Sequence, residues 1–178
     1  HGVHRRQRQM CIRDSHHMDN PFRGWKILTS CLNNDSLMLI GLYSELARQH
    51  IKEIKNKINK LKLQSNYKNI IKFRKDLIEN NDDHLNYIKS SPDFYTVSGV
   101  RDLLFHVQEH RFTISKIKEY LDKLGLIFLG FEDQLVKEKF KEIYSNKIDL
   151  YNLDKWEEYE KNNPRTFAGM YQFWCKKI

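Results

Sequence analysis

Apolar residues along the chain recur with two periods, and the switches between them mark out its elements. Phe22, Trp25, Leu28 and Leu32 fall at helical spacing, which predicts a helix from about residue 21. Asp19 or Asn20 supplies its cap, and Pro21 suits its first turn. Asn33-Asn34-Asp35-Ser36 ends it with turn residues. Leu37 to Tyr43 is then continuously apolar, the pattern of a strand buried on both faces in a parallel sheet covered by helices. Glu45 to Leu63 predicts a long helix with Ile51, Ile54, Ile58 and Leu61 on one face. Lys52, Lys55, Lys57, Lys60 and Lys62 lie mostly elsewhere on it. A second helix spans about Tyr67 to Glu79, with Ile70, Ile71, Leu77 and Ile78 inward, and Asn80-Asn81-Asp82-Asp83 breaks it.

Ser90-Ser91-Pro92-Asp93 reads as a loop. Ser98 to His110 is helix-compatible, with Val100, Leu103, Leu104 and Val107 as its stripe. Thr113 caps a helix whose face is Ile114, Ile117, Tyr120, Leu121 and Leu124, and Gly125 stops it. Leu126 to Phe131 is another buried strand. Helices over about 133–144 and 153–161 follow, Asn162-Asn163-Pro164 ends them, and Met170 to Cys175 makes a last strand. There is no internal repeat. Alternating helix and buried strand argues α/β. Three strands are few for an independent doubly wound sheet, so the pattern resembles the second half of a larger architecture. It divides into a core piece over 16–44, a helical insertion or cap over 45–97, and a C-terminal part over 98–178.

His1 to Ser15 follows neither period. RQRQMCIRDS within it looks like a translated sequencing-adapter string, which predicts a non-native segment. The functional alternative is a basic arm for nucleic acid. This choice changes the reading of the charge. The whole chain carries +8, and residues 1–15 supply four arginines against one aspartate. The excess that remains is spread through lysine-rich helices, a weak indication of a nucleic-acid partner, with a solvated face as the plain alternative. Apolar residues at 40% and aromatics at 12% support a core. Cys11, Cys31 and Cys175 are far apart and odd in number, so no disulfide framework or paired metal knuckle is expected. Their pattern suits a reducing cytoplasm. No apolar run approaches the length of a membrane span, and no membrane partner is expected.

Three groups of residues are candidates for chemistry. His106-Val-Gln-Glu109-His110 matches the inverted zinc-hydrolase pattern, in which two histidines four apart on a helix share a metal beside a polarising carboxylate. No third ligand has distinguishing spacing, Arg111 follows directly, and no metal site is assigned. Tyr95, Arg101, His106 and His110 gather hydrogen-bonding groups in one stretch. They suit a substrate pocket with Arg101 holding an anion and a histidine taking a proton, or a local network in which Arg101 pairs with Asp102. His16-His17-Met18-Asp19-Asn20-Pro21 precedes an α/β helix, the place where open sheets bind ligands at strand C-termini.

That last segment, with Trp25, Leu28 and Ile40-Gly41-Leu42-Tyr43-Ser44, resembles class I S-adenosylmethionine-dependent methyltransferases. There a His-His-x-x-x-Pro segment ends the fourth strand. Arg101-Asp-Leu-Leu-Phe-His-Val-Gln-Glu-His-Arg-Phe-Thr113, Leu124-Gly-Leu-Ile-Phe-Leu-Gly-Phe131 and Thr166-Phe-Ala-Gly-Met-Tyr-Gln-Phe-Trp174 are similar to a bacterial group of that family, often fused to tetratricopeptide repeats. The resemblance implies a Rossmann-like sheet of which this chain holds strands five to seven, the last two as a hairpin, with a helical insertion able to cover the active site. It implies S-adenosylmethionine as cofactor, with His16, His17 and Met18 lining the cofactor and methyl region. Tyr43 would face an unidentified methyl acceptor. His17, Tyr43, His106 and His110 are the catalytic candidates, and Tyr43, Tyr95, Arg101 and His106 the substrate-side ones.

The departures are as informative. No Gly-x-Gly-x-x-Gly occurs in the chain, and the acidic residue expected to hold the cofactor ribose is absent. The strand expected before His16 is replaced by Cys11-Ile12-Arg13-Asp14-Ser15. The expectation is therefore a C-terminal methyltransferase fragment, inactive or nearly so alone. A basic helical nucleic-acid-binding module and a zinc hydrolase are the alternatives.

Overall fold

A computed structural model describes residues 10–12, 15–79, 83–89, 91–106 and 109–178. The arginine-rich start, the Asn80–Asp82 break, Ser90 and Val107 lie outside the described residues. In chain order the elements are β1 (Met10–Ile12), α1 (Pro21–Ser30), β2 (Leu37–Ser44), α2 (Gln49–Lys60), α3 (Tyr67–Glu79), α4 (Asp83–Lys89), α5 (Val97–Leu104), β3 (Arg111–Phe112), α6 (Ile114–Leu124), β4 (Leu126–Phe131), α7 (Gln134–Ile143), α8 (Leu153–Asn162) and β5 (Tyr171–Lys177). They form two compact units, one of residues up to 47 with 109–178, the other of 48–108.

The first unit is α/β. Its sheet runs β1-β2-β5-β4, and β3 also pairs with β2. β1 and β3 are parallel to β2, while β5 is antiparallel to both β2 and β4. Parallel neighbours need a crossover, and α1 provides it between β1 and β2. Asn20 starts α1 by accepting the Arg23 N–H at 3.0 Å. Thr113 caps α6 through the Lys116 N–H at 3.2 Å. Gly125 ends α6 at φ 63°, ψ 43°, left-handed values that glycine adopts without a Cβ clash. Met38, Ile40 and Leu42 of β2, Tyr171, Phe173 and Cys175 of β5, and Phe128 and Phe131 of β4 are buried with Trp25, Ile117, Phe140 and Trp156. Phe140 and Trp156 stack at 3.8 Å. Full burial of such side chains contributes about 1.5–3 kcal/mol each.

The structure corrects several expectations in this unit. Leu37, Leu39 and Tyr43 are only half-buried, so β2 is wholly buried on one face rather than both. Met10–Ile12, where the sequence pattern predicts no strand, pairs in parallel with Met38–Ile40. A strand therefore does stand before His16. The last two strands are antiparallel neighbours, but α7 and α8 lie in the connection between them, so they do not form a tight hairpin.

The second unit is helical, with Ile51, Ile54, Ile58, Ile70, Phe73, Leu77, Phe94, Val100, Leu103 and Leu104 as its core. Residues 45–48 form turns, and α2 begins only at Gln49. Leu61 and Ile78, expected inward, are exposed. Ile70, Phe73 and Leu77 hold the inward stripe of α3 at i, i+3, i+7, which turns Ile78 away. Among the described residues no helix is long and apolar enough to cross a membrane.

Candidate functional site

Parallel pairing brings the C-terminal ends of β1, β2 and β3 to one end of the sheet, where His16, His17, Tyr43, Glu45 and Arg111 come together. After β1 the chain makes one 3-10 turn, Ser15–His17. It delivers two imidazoles to the end of β2. His16 is buried, with its ring centroid 4.2 Å from His17 and 4.3 Å from Tyr43. His17 lies 6.2 Å from Tyr43 in an edge-on arrangement. The His110 N–H donates to the His16 carbonyl at 2.8 Å, which ties the lead into β3 to this turn. Met18 is 42% exposed. A Cβ on Gly24 would stand 2.5 Å from its sulfur, so the glycine in α1 makes room for the Met18 thioether.

Charge is arranged around the same strand ends. Arg111 Nε donates to Glu45 Oε2 at 2.8 Å, and Arg111 Nη1 lies 3.7 Å from Glu109 Oε1. The Glu109 side chain is only 2% exposed, and a buried carboxylate needs such a partner. Behind Tyr43, the Ser44 hydroxyl donates to Glu160 Oε1 at 2.6 Å and accepts the Ala47 N–H at 3.0 Å. The Tyr171 hydroxyl contacts both Glu160 oxygens, at 2.8 and 2.6 Å. Burial pushes the Glu160 carboxyl above its ordinary range, against the opposing pull of the Ser44 and Tyr171 hydroxyls. Burial, and then the Glu160 charge, push the Tyr171 phenol up as well. Glu160 belongs to α8, Ser44 to β2 and Tyr171 to β5, so one carboxyl joins three elements at the site's base.

The structure thus brings together His16, His17 and Tyr43, with Met18 beside them and His110 joined through its main chain. Tyr95, Arg101 and His106 lie in the second unit, and all three are exposed. The helix expected over 98–110 ends at Leu104. Leu103, Leu104 and Phe105 are consecutive apolar residues that one helical face cannot all bury. The chain turns at Phe105, whose ring meets Phe73 edge-on at 6.0 Å. His106 therefore lies beyond the helix, which removes the helical premise of the zinc-hydrolase reading. Among the described residues no group of three or more His, Cys, Asp or Glu is placed to hold a metal.

Sequence reasoning alone misses Ser44, Glu45, Glu160 and Tyr171 as members of the site. Glu160 does leave a signal. It stands on the buried stripe of α8, four and seven residues from Trp156 and Leu153, where an acid is out of pattern.

The aromatic ring of Tyr43 suits one side of a sulfonium cofactor, since a cation is attracted to such a ring face. Without a Gly-x-Gly-x-x-Gly loop or the acidic residue that would hold the ribose, the chain's own residues fit that side only.

No protein-family model matches the chain. It is 22% identical over 159 residues to Uncharacterized protein syc1184_c of Synechococcus sp., an alignment covering 84% of this chain and 38% of that protein. It superposes on the structure of PKMT2 from Rickettsia typhi with a TM-score of 0.67 at 9% identity over 95% of its length. A second structure of that protein, in complex with AdoHcy, gives 0.60 at 12% identity. The chain spans 35% of PKMT2. At this identity the likeness is one of fold alone.

Proposed function

We propose that the chain is the C-terminal part of an S-adenosylmethionine-dependent methyltransferase, with His16, His17, Met18 and Tyr43 at the methyl-transfer site. The observation that carries this reading is the packing of His16, His17 and Tyr43 at the C-terminal end of parallel strands, in a fold that superposes on PKMT2, a protein also solved in complex with AdoHcy. Bound S-adenosylmethionine supplies a methyl group already activated on sulfur. What is left to the protein is to align the acceptor and take up its proton. Tyr43, fixed by the Ser44–Glu160 bond behind it, sets the acceptor's position. His17, half-buried where His16 is closed off, is the imidazole with access to an acceptor proton. The free thiols of Cys31 and Cys175 support a reducing, cytoplasmic setting for such an enzyme.

The test uses protein from a copy of the gene that extends upstream of codon 16. The reading expects a glycine-rich loop within roughly 100 residues of that point, given usual domain sizes. In that longer protein His17→Ala should lower turnover about a hundredfold or more with an unchanged melting temperature. Unchanged turnover would remove His17 from the mechanism, and an unrelated upstream frame would end the reading. Taken alone, the chain should bind S-adenosylmethionine weakly or not at all.

A further inference from the structure

We infer that the basic turn joining α2 to α3 is a docking surface for single-stranded nucleic acid. Between Glu53 and Asp76 the chain carries eight lysines and arginines and no acidic residue. Lys60, Lys62, Lys68 and Lys72 within it are exposed or half-exposed, and among the described residues none of the four has a carboxylate at ion-pair distance. Lys68 and Lys72 are one turn apart on α3, and Lys60 ends α2. Such a run would be a solvated face if charge were its only feature. Two further observations separate it from that.

Tyr67 opens α3 at 63% exposure, in sequence between Lys62 and Lys68. An exposed aromatic among unpaired lysines is the combination that binds single strands, where bases stack on rings and phosphates meet cations. An acidic peptide would use the lysines and leave the ring idle.

The second observation is the backbone of Lys62. The Leu63 N–H donates to the Ile58 carbonyl and the Lys62 N–H to the Asn59 carbonyl, which closes α2 with a Schellman turn. Lys62 occupies the left-handed position of that turn at φ 51°. Glycine adopts this conformation freely, whereas a residue with a Cβ is strained there. Lysine adds nothing to the stability of this turn that glycine would not exceed. What it adds is a charge close in sequence to Tyr67.

The surface is tested on the full chain without cofactor, so failure here leaves the methyltransferase reading untouched, and the converse holds. A fluorescein-labelled 12-nucleotide DNA single strand of mixed sequence is titrated with protein and followed by anisotropy at 50 and 200 mM NaCl. Four phosphate contacts give a salt slope of about −3, so the affinity should fall roughly fiftyfold across that range. Tyr67→Ala should weaken binding about tenfold. Lys62→Gly should flatten the slope by about 0.7 while raising the melting temperature by about 2–4 °C. Gained stability with lost binding is a result that a solvated face cannot give. The arginines of residues 1–15 are common to every variant and drop out of the comparison. The inference is overturned by no binding at 50 mM salt, by indifference to Tyr67→Ala and Lys62→Gly, or by equal affinity for polyglutamate or a duplex of the same length.

Discussion

Replacing Glu160 tests the base of the site and the direction of its titration together. Its carboxyl is 1% exposed and receives the Ser44 and Tyr171 hydroxyls. Alanine would leave two buried hydroxyls without their acceptor, at about 1–3 kcal/mol each. A loss of about 3 kcal/mol lowers the melting temperature of a chain this size by about 6–12 °C. Tyr171→Phe keeps the ring packed against Phe131 and Phe167 and removes one donor, so it should cost about 1.5–3 kcal/mol if the carboxyl is charged and less if it is neutral. The pH dependence is sharper still. Burial raises the folded pKa of Glu160 above its unfolded value of about 4.3. A raised acid contributes its full stability below the unfolded pKa and loses it as pH climbs through the folded one, by about 1.4 kcal/mol for each tenfold difference in proton affinity between the two states. Glu160→Gln keeps a neutral acceptor and does not titrate. The melting temperature of the native chain minus that of Glu160→Gln should therefore be greatest near pH 4 and decline toward pH 8. The difference isolates this group, since all other carboxylates are shared. A gap that is flat, or that widens with pH, would mean that the hydroxyls hold a carboxylate more strongly than burial expels it. The account of the site's base would then be wrong.

Two further perturbations read other parts of the fold. Burial pushes the Cys175 thiol up to about 12, while Cys31 is exposed. In a Cys11→Ser background at pH 8, iodoacetamide should modify Cys31 quickly and Cys175 only after denaturation, and equal rates by mass spectrometry would show that β5 is not packed as described. Gly125→Ala places a Cβ at φ 63° and should cost about 1–2 kcal/mol in chemical denaturation, whereas no loss would mean that the turn from α6 to β4 relaxes freely.

The parts of this fold that could be read from sequence are those whose determinants are local. Thr113, the stripe from Ile114 to Leu124, Gly125 and the apolar run to Phe131 each carry their own signal, and α6 and β4 follow them in their bounds, although Ile127 of the strand expected to be buried is 45% exposed. Asn20 and Pro21 start α1 in the same way. β1 and β3 could not be found like this. At three and two residues they are too short to show a period and exist as strands only through pairing with β2. The end of α5 was hidden for a related reason, because the placement of Phe105 is decided by Phe73 on another helix. In the candidate site, a recognisable motif singles out His16, His17 and Tyr43 in the sequence, and the structure packs their rings together. Ser44, Glu160 and Tyr171 come from three separate elements, and only the acid on the apolar stripe of α8 announced that something polar waited inside.

The central claim is that the end of β2 and the turn after β1 form the methyl-transfer side of a cofactor pocket. Calorimetric titration of AdoHcy into the longer protein, native and His17→Ala, addresses it most directly. The account predicts binding to the native protein and at least tenfold weaker binding to the variant, with both melting at the same temperature. Equal affinity in the two, or no binding to the native protein, would contradict it.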